Sequence, residues 1–220
     1  MSEYSTSQRS PSVARPTRTT PQRPERRVTP TEFAQWLEGR LPSLQVRWTE
    51  RIRSTGRMRG DVWDGLIADF VVLITSTLPT LLGPHRDEVE PLWVRAAELF
   101  GTAASRRGLA AGEAVEELQI LRELVIRDLY GDPPLSGSVP VSLKEVLRLN
   151  RAIDRVVTHG SIGHTDALFF QLLEDDGRGG VGNPTLAAAE IERQLSAIRG
   201  ELAAVLAVPG GEPHATTSTH

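Results

Sequence analysis

Few residues in this chain have the types and spacing that chemistry needs. The five histidines are His85, His159, His164, His214 and His220. His159 and His164 stand five apart, a poor spacing for two ligands on one helical face. Even with Asp166 nearby, a capping or solvated role suits them better than a metal. The absence of cysteine removes disulfides, thiolate zinc sites, iron–sulfur clusters and a cysteine nucleophile. No Walker loop, dinucleotide fingerprint, HExxH or GxSxG motif occurs. The glycine-rich run from Gly177 to Gly182 follows no strand pattern and reads as a linker. No histidine lies on the inward stripes of residues 30–130, which disfavours a haem. The expectation is a protein that recognises rather than catalyses, with no cofactor and no metal implied.

Two sets of side chains are candidates for recognition. Trp36, Trp48, Trp63 and Trp93, with Phe100, would line a pocket between helices or simply form core, and core is the plainer reading of aromatics at helical spacing. The second set is Arg122, Asn150 and Asp154, polar residues that fall on otherwise apolar helical stripes. Asn150 and Asp154 are four apart and therefore adjacent on a helix. If their helices pack face to face, Arg122 meets the Asp154 carboxylate with its guanidinium fork and Asn150 satisfies a remaining donor. Two readings stay open: a buried pair that fixes helix register, or a switch that breaks when a signal arrives.

The elements that must position these residues read as helices throughout. Leu109–Tyr130 is the strongest. Ala111, Val115, Leu118, Leu121, Val125 and Leu129 fall on one stripe at 100° per residue, opposite Glu113, Glu116, Glu123 and Arg127. The rest of the chain is expected to be organised around it. Thr29-Pro30-Thr31-Glu32 has the form of a capping box opening the fold. Phe33, Trp36, Leu37, Leu44, Trp48 and Ile52 follow, with Gly39 and Pro42 predicted to split the stretch in two. Asp61 opens a helix to about Leu82 with Val62, Leu66, Phe70, Leu73 and Leu78 inward, kinked or ended early by Pro79. Asp87–Arg107 places Val89, Trp93, Ala96 and Phe100 on one face. Ser142 and Glu145 cap a later helix with Leu143, Val146, Leu147, Ile153 and Val157 inward, interrupted near Gly160 and Gly163 before Leu168–Leu173. A final helix, 184–206, carries Leu186, Ile191, Leu195, Ile198 and Leu202, and the linker before it suggests a helix outside the main bundle that seeks a partner surface.

The expected fold is thus all-α, a bundle of five to six helices with disordered tails. Its parts are a basic arm over 1–28, a helical sensor-like domain over 29–175, a linker over 176–183, the 184–206 helix and a tail over 207–220. The arm holds six arginines and two glutamates, and the other 192 residues carry a net charge of −7. The arm lacks the apolar residues needed to offset ordering entropy and reads as a solvated tail. Weak contact with nucleic acid or another acidic surface is the alternative, for which six arginines without interleaved aromatics are a modest signal. No unbroken apolar run is long enough to span a membrane, and no signal segment is evident, so a cytoplasmic location is expected.

Three motifs give a resemblance. Glu116-Glu117-Leu118-Gln119-Ile120-Leu121-Arg122 resembles an "E-x-x-x-L-R" helix, and Leu149-Asn150-Arg151-Ala152-Ile153-Asp154 an "L-N-x-A-I-D" helix. Leu41-Pro42-Ser43-Leu44 with Trp48 is similar to "L-P-x-L-x-x-x-W". Together, over about 30–173, they resemble the N-terminal sensor domain of RsbT co-antagonist proteins of the RsbRD type, which also precedes many bacterial sensor histidine kinases. The resemblance implies a cytoplasmic, commonly dimeric, all-α sensing module that signals to an attached output domain. The chain departs from the pattern in lacking a histidine near Leu99 or Phe100, and no kinase or STAS domain follows. Leu168–Leu173, then Glu174-Asp175-Asp176 and Asn183-Pro184, faintly echo a kinase junction with Asp175 at the phosphoacceptor position. The function expected is a non-enzymatic sensory or adaptor protein of bacterial stress signalling. Its expected partners are a second copy and a downstream kinase or anti-sigma-type regulator, with no nucleic acid and no membrane. The alternatives are a small-molecule module with a Trp-lined pocket, or a remnant of a sensor kinase.

Overall fold

In the computed structural model residues 28–57, 61–131, 134, 141–175 and 183–207 are described. Among them the chain forms six α-helices and no strand: α1 (Pro30–Ser54), α2 (Asp61–Leu82), α3 (Arg86–Arg106), α4 (Ala111–Gly131), α5 (Leu143–Asp175) and α6 (Pro184–Ala207). The basic arm to residue 27, the linker over 176–182 and the tail from 208 lie outside the described residues. Val28, assigned above to the arm, is buried in the core beside Phe33 and Leu37.

α1 starts as its sequence dictates. The Thr29 hydroxyl accepts from the Glu32 amide, the Glu32 carboxylate accepts from the Thr29 amide, and Pro30 opens the helix. The expected break at Gly39 and Pro42 does not occur. A proline inside a helix costs about 3 kcal/mol, but here Phe33 and Leu37 on one side of it and Leu44, Trp48 and Ile52 on the other are buried on one continuous face. Their burial, at about 1.5–3 kcal/mol for each large side chain, outweighs the local penalty. Pro79 is likewise carried inside α2, and the helix runs on to Leu82. α2 is also long and apolar enough to cross a membrane over Val62–Leu82, which its interspersed polar residues hide in the sequence. Two thirds of that stretch, 67%, is buried inside the bundle, so it serves here as a core helix.

The element at the centre is α3, not the α4 stretch expected. α3 packs on α2, α5, α6 and α4, and α1 packs on α2 and α4. α3 is buried nearly all round, from Val89, Leu92 and Trp93 through Ala96, Ala97 and Phe100 to Ala103, Ala104 and Ser105. Its small residues let a neighbour approach closely. A Cβ placed on Gly101 would lie 1.8 Å from the Gly160 carbonyl oxygen, and one on Gly163 would lie 1.9 Å from the Glu98 carbonyl oxygen. The Thr102 hydroxyl lies 3.3 Å from the Gly163 carbonyl across the same seam. Gly160 and Gly163 therefore do not interrupt α5, which is continuous over its 33 residues. They are the positions at which it touches α3.

α6 also differs from expectation. It lies on α3 and α2, with Ala188, Ile191, Leu195, Ile198 and Leu202 buried in the main core. Arg95 holds Glu201 at 2.6 Å and Arg199 holds Asp69 at 2.9 Å. The partner surface that its apolar face requires is within its own chain, and of the five residues expected on that face only Leu186 is left exposed. Leu195 is fully buried. Leu195→Ala should therefore lower the unfolding free energy by about 2–5 kcal/mol in urea denaturation. A loss below about 0.5 kcal/mol, the surface-substitution level, would mean that α6 is not packed.

Candidate functional site

The aromatic set does not line a common pocket. Trp48 is buried and its indole N–H donates to the Glu117 backbone carbonyl at 2.8 Å. Trp93 is buried and donates to the Ile74 carbonyl at 3.0 Å. Trp63 is buried in the same core, and Phe100 meets Phe70 edge to face at 5.5 Å between centroids. Trp36 stacks on Phe33, beneath the Arg40 guanidinium. Trp48, Trp63, Trp93 and Phe100 are thus core residues, and the Trp48 and Trp93 polar handles are satisfied locally. Trp93 alone also borders a cavity described below.

Arg122 and Asp154 do meet. Their side chains form an ion pair between α4 and α5, but Arg122 is 27% exposed and Asp154 60% exposed. The expected low-dielectric burial is therefore corrected, because the two residues sit at the rim of the helix contact rather than inside it. Asn150 is half-buried and forms no hydrogen bond to either partner. The phase of α5 explains the difference. Its inward face runs through Leu149, Ile153, Val156, Gly160, His164 and Ala167, while Leu143 and Leu147 are exposed.

Among the described residues the fully buried ion pair is Arg107 with Glu117, both side chains inaccessible. Arg107 is the C-cap of α3. The turn that follows is a Schellman motif: Gly108 has φ 74°, its amide donates to Ser105, and the Leu109 amide donates to Ala104. Leu109, Ala104 and Ala114 form the apolar contact that accompanies such a turn. The turn folds Arg107 back onto α4, where its guanidinium bonds both Glu117 oxygens and lies 5.9 Å from the Phe100 ring centre. His164 of α5 holds the Leu109 carbonyl at 2.8 Å through Nε2. That nitrogen therefore donates, and Nδ1 is left buried without a partner among the described residues. His159 pairs instead with Glu98 at 2.8 Å. A signal for Glu117 is present in the sequence: it stands four before Leu121, on the same helical stripe.

Two surface features remain. Beyond the glycine seam, the C-terminal end of α5 exposes Leu168, Phe169, Phe170, Leu172 and Leu173 by 44–60% each. At the other end, a cavity of about 270 Å³ opens between the end of α2, the start of α3 and the first half of α5, and Arg148 and Arg151 lie on its wall. No family model, curated protein or solved structure matches the chain.

The two ion pairs differ in burial and so in expected cost. Glu117→Ala strands a buried guanidinium and should cost about 3–5 kcal/mol, whereas Arg107→Met with Glu117→Leu should recover much of that loss. Asp154→Ala should cost no more than about 1 kcal/mol. Equal losses in the two single variants, measured by thermal and urea unfolding, would contradict this assignment of burial.

Proposed function

We propose that this protein is a non-enzymatic cytoplasmic signalling adaptor that acts by pairing two copies through the C-terminal end of α5. One observation carries the reading. Five large apolar side chains from Leu168 to Leu173 are exposed at one end of a single helix. Single exposed apolar residues are ordinary, but a contiguous cluster marks an interaction surface. Leu168 with Leu172, and Phe169 with Leu173, form two neighbouring i,i+4 ridges. In a two-fold pair the same ridges face each other and interdigitate, so a second copy of the same end is a self-complementary cover.

The resemblance to RsbRD-type sensor domains supports the reading, because those domains are commonly dimeric and signal through an attached or associated output. The output partner proposed here is a downstream kinase or an anti-sigma-type regulator. The Arg122–Asp154 pair serves as a register contact between α4 and α5 at the rim of the bundle.

Light scattering behind size exclusion tests the proposal. The wild-type chain of 24.1 kDa should run at twice its mass at high concentration. Phe169→Glu with Leu173→Glu should run at the single mass, with an unchanged melting temperature. A wild-type protein that stays monomeric, or a double variant that still pairs, would contradict it.

A further inference from the structure

We propose that the cavity at the opposite end of α5 binds a small molecule carrying at least two phosphate groups. This inference is independent of the pairing proposed above. The cavity is lined by Arg86 from the start of α3 and by Lys144, Arg148, Arg151 and Arg155 from α5. The four α5 residues are spaced by 4, 3 and 4 positions, which places them on one helical face. Five of the 19 basic residues that follow the N-terminal arm therefore border one concavity, in a region whose net charge is −7. Such a concentration focuses a positive field where the rest of the surface is acidic.

The carboxylates nearby do not neutralise it. Glu90 is the single acidic residue on the wall, and it pairs with both Arg86 and Arg155. Glu145 is buried and lies 3.5 Å from Arg148, which also donates to the Leu82 carbonyl at 3.2 Å. Lys144 and Arg151 are exposed and form no ion pair with a described carboxylate. Among the described residues two cations are thus free to take a ligand, with a third held only loosely.

Charge and span select the ligand class. A phosphate group carries close to two negative charges at neutral pH, against one for a carboxylate. Residues 144 and 155 lie about 16 Å apart along the helix axis at 1.5 Å per residue, more than one phosphate spans. Guanidinium forks bind phosphate oxygens in pairs. The floor is apolar, formed by Leu81, Trp93 and Ala152, and it suits the carbon skeleton of a phosphorylated metabolite. The Trp93 N–H is already committed to Ile74 and its side chain is buried, so Trp93 shapes the floor and offers the ligand no hydrogen bond. The concavity favours a small molecule over an extended acidic chain.

Calorimetry on the full-length protein tests this with pyrophosphate, inorganic phosphate, succinate and a short single-stranded oligonucleotide. Pyrophosphate should bind at least tenfold more tightly than phosphate or succinate, with an affinity that falls as salt rises. Lys144→Gln with Arg151→Gln should weaken it at least tenfold without changing the melting temperature, whereas the distant Arg127→Gln should leave it unchanged. Three results would overturn the proposal: no pyrophosphate binding at millimolar concentration, equal binding to the double variant, or phosphate or succinate binding as tightly as pyrophosphate. An oligonucleotide that binds and is not displaced by pyrophosphate would overturn it in favour of a macromolecular anion.

Discussion

The bundle depends on the close approach of two helix backbones. At Gly101 and Gly163 the α3 and α5 main chains come nearer than any side chain allows, and a Cβ on Gly160 would meet the Leu118 side chain of α4 at 2.5 Å. Glycine inside a helix is unfavourable by about 0.5–1 kcal/mol relative to alanine. The cost at Gly101 and Gly163 is offset because the approach brings many atoms into dispersion contact and lets Thr102 reach a carbonyl of the neighbouring helix. With α5 seated directly on α3, the remaining faces of α3 are left for α2 and α6. The core then closes around Trp93, Phe100 and Phe70. The same seam leaves both ends of α5 beyond the central contact, and those ends carry the apolar patch and the basic cavity.

A second constraint fixes the reversal between α3 and α4. Arg107 leaves the end of α3 into the core and is met there by Glu117. Glu117 in turn holds Trp48 of α1 through its carbonyl, and His164 of α5 holds the Leu109 carbonyl of the same turn. Four helices therefore converge on one short turn. A buried charge pair of this kind is weak evidence of net stability, because desolvation consumes most of the attraction. Its physical effect is specificity: with either charge stranded, alternative packings of this end are costly.

The helical class, the order of the elements and most of their ends are legible in the sequence, because capping residues and apolar periods agree there. Thr29 and Glu32 form the capping box that their spacing predicts, and Asn183 with Pro184 opens α6. What is not legible follows from residues with two meanings. A glycine in a helical pattern marks either a break or a close contact, and Gly160 and Gly163 read as breaks until α3 is beside them. Pro42 reads as a stop because its local cost is visible and the burial that offsets it is not. The pattern of Leu143 and Leu147 suggests one phase for α5, whereas the true inward face includes Glu145 and His164, which hydropathy counts as outward. Arg122 stands out as a polar residue on a stripe, while Glu117, equally well placed, reads as one more glutamate among several. The basic face at 144, 148, 151 and 155 is plain in the spacing but acquires meaning only with Arg86 and an apolar floor beside it.

The most direct measurement is the unfolding free energy of Gly101→Ala and Gly163→Ala set beside Gly39→Ala and Gly200→Ala. All four glycines are helical, and a Cβ at Gly39 or Gly200 meets nothing within 4 Å. A backbone seam predicts that the first two variants lose about 1–3 kcal/mol or more as the helices are forced apart. It predicts that the other two gain up to about 1 kcal/mol from helix propensity. Stabilisation of all four alike would contradict the close approach of α3 and α5.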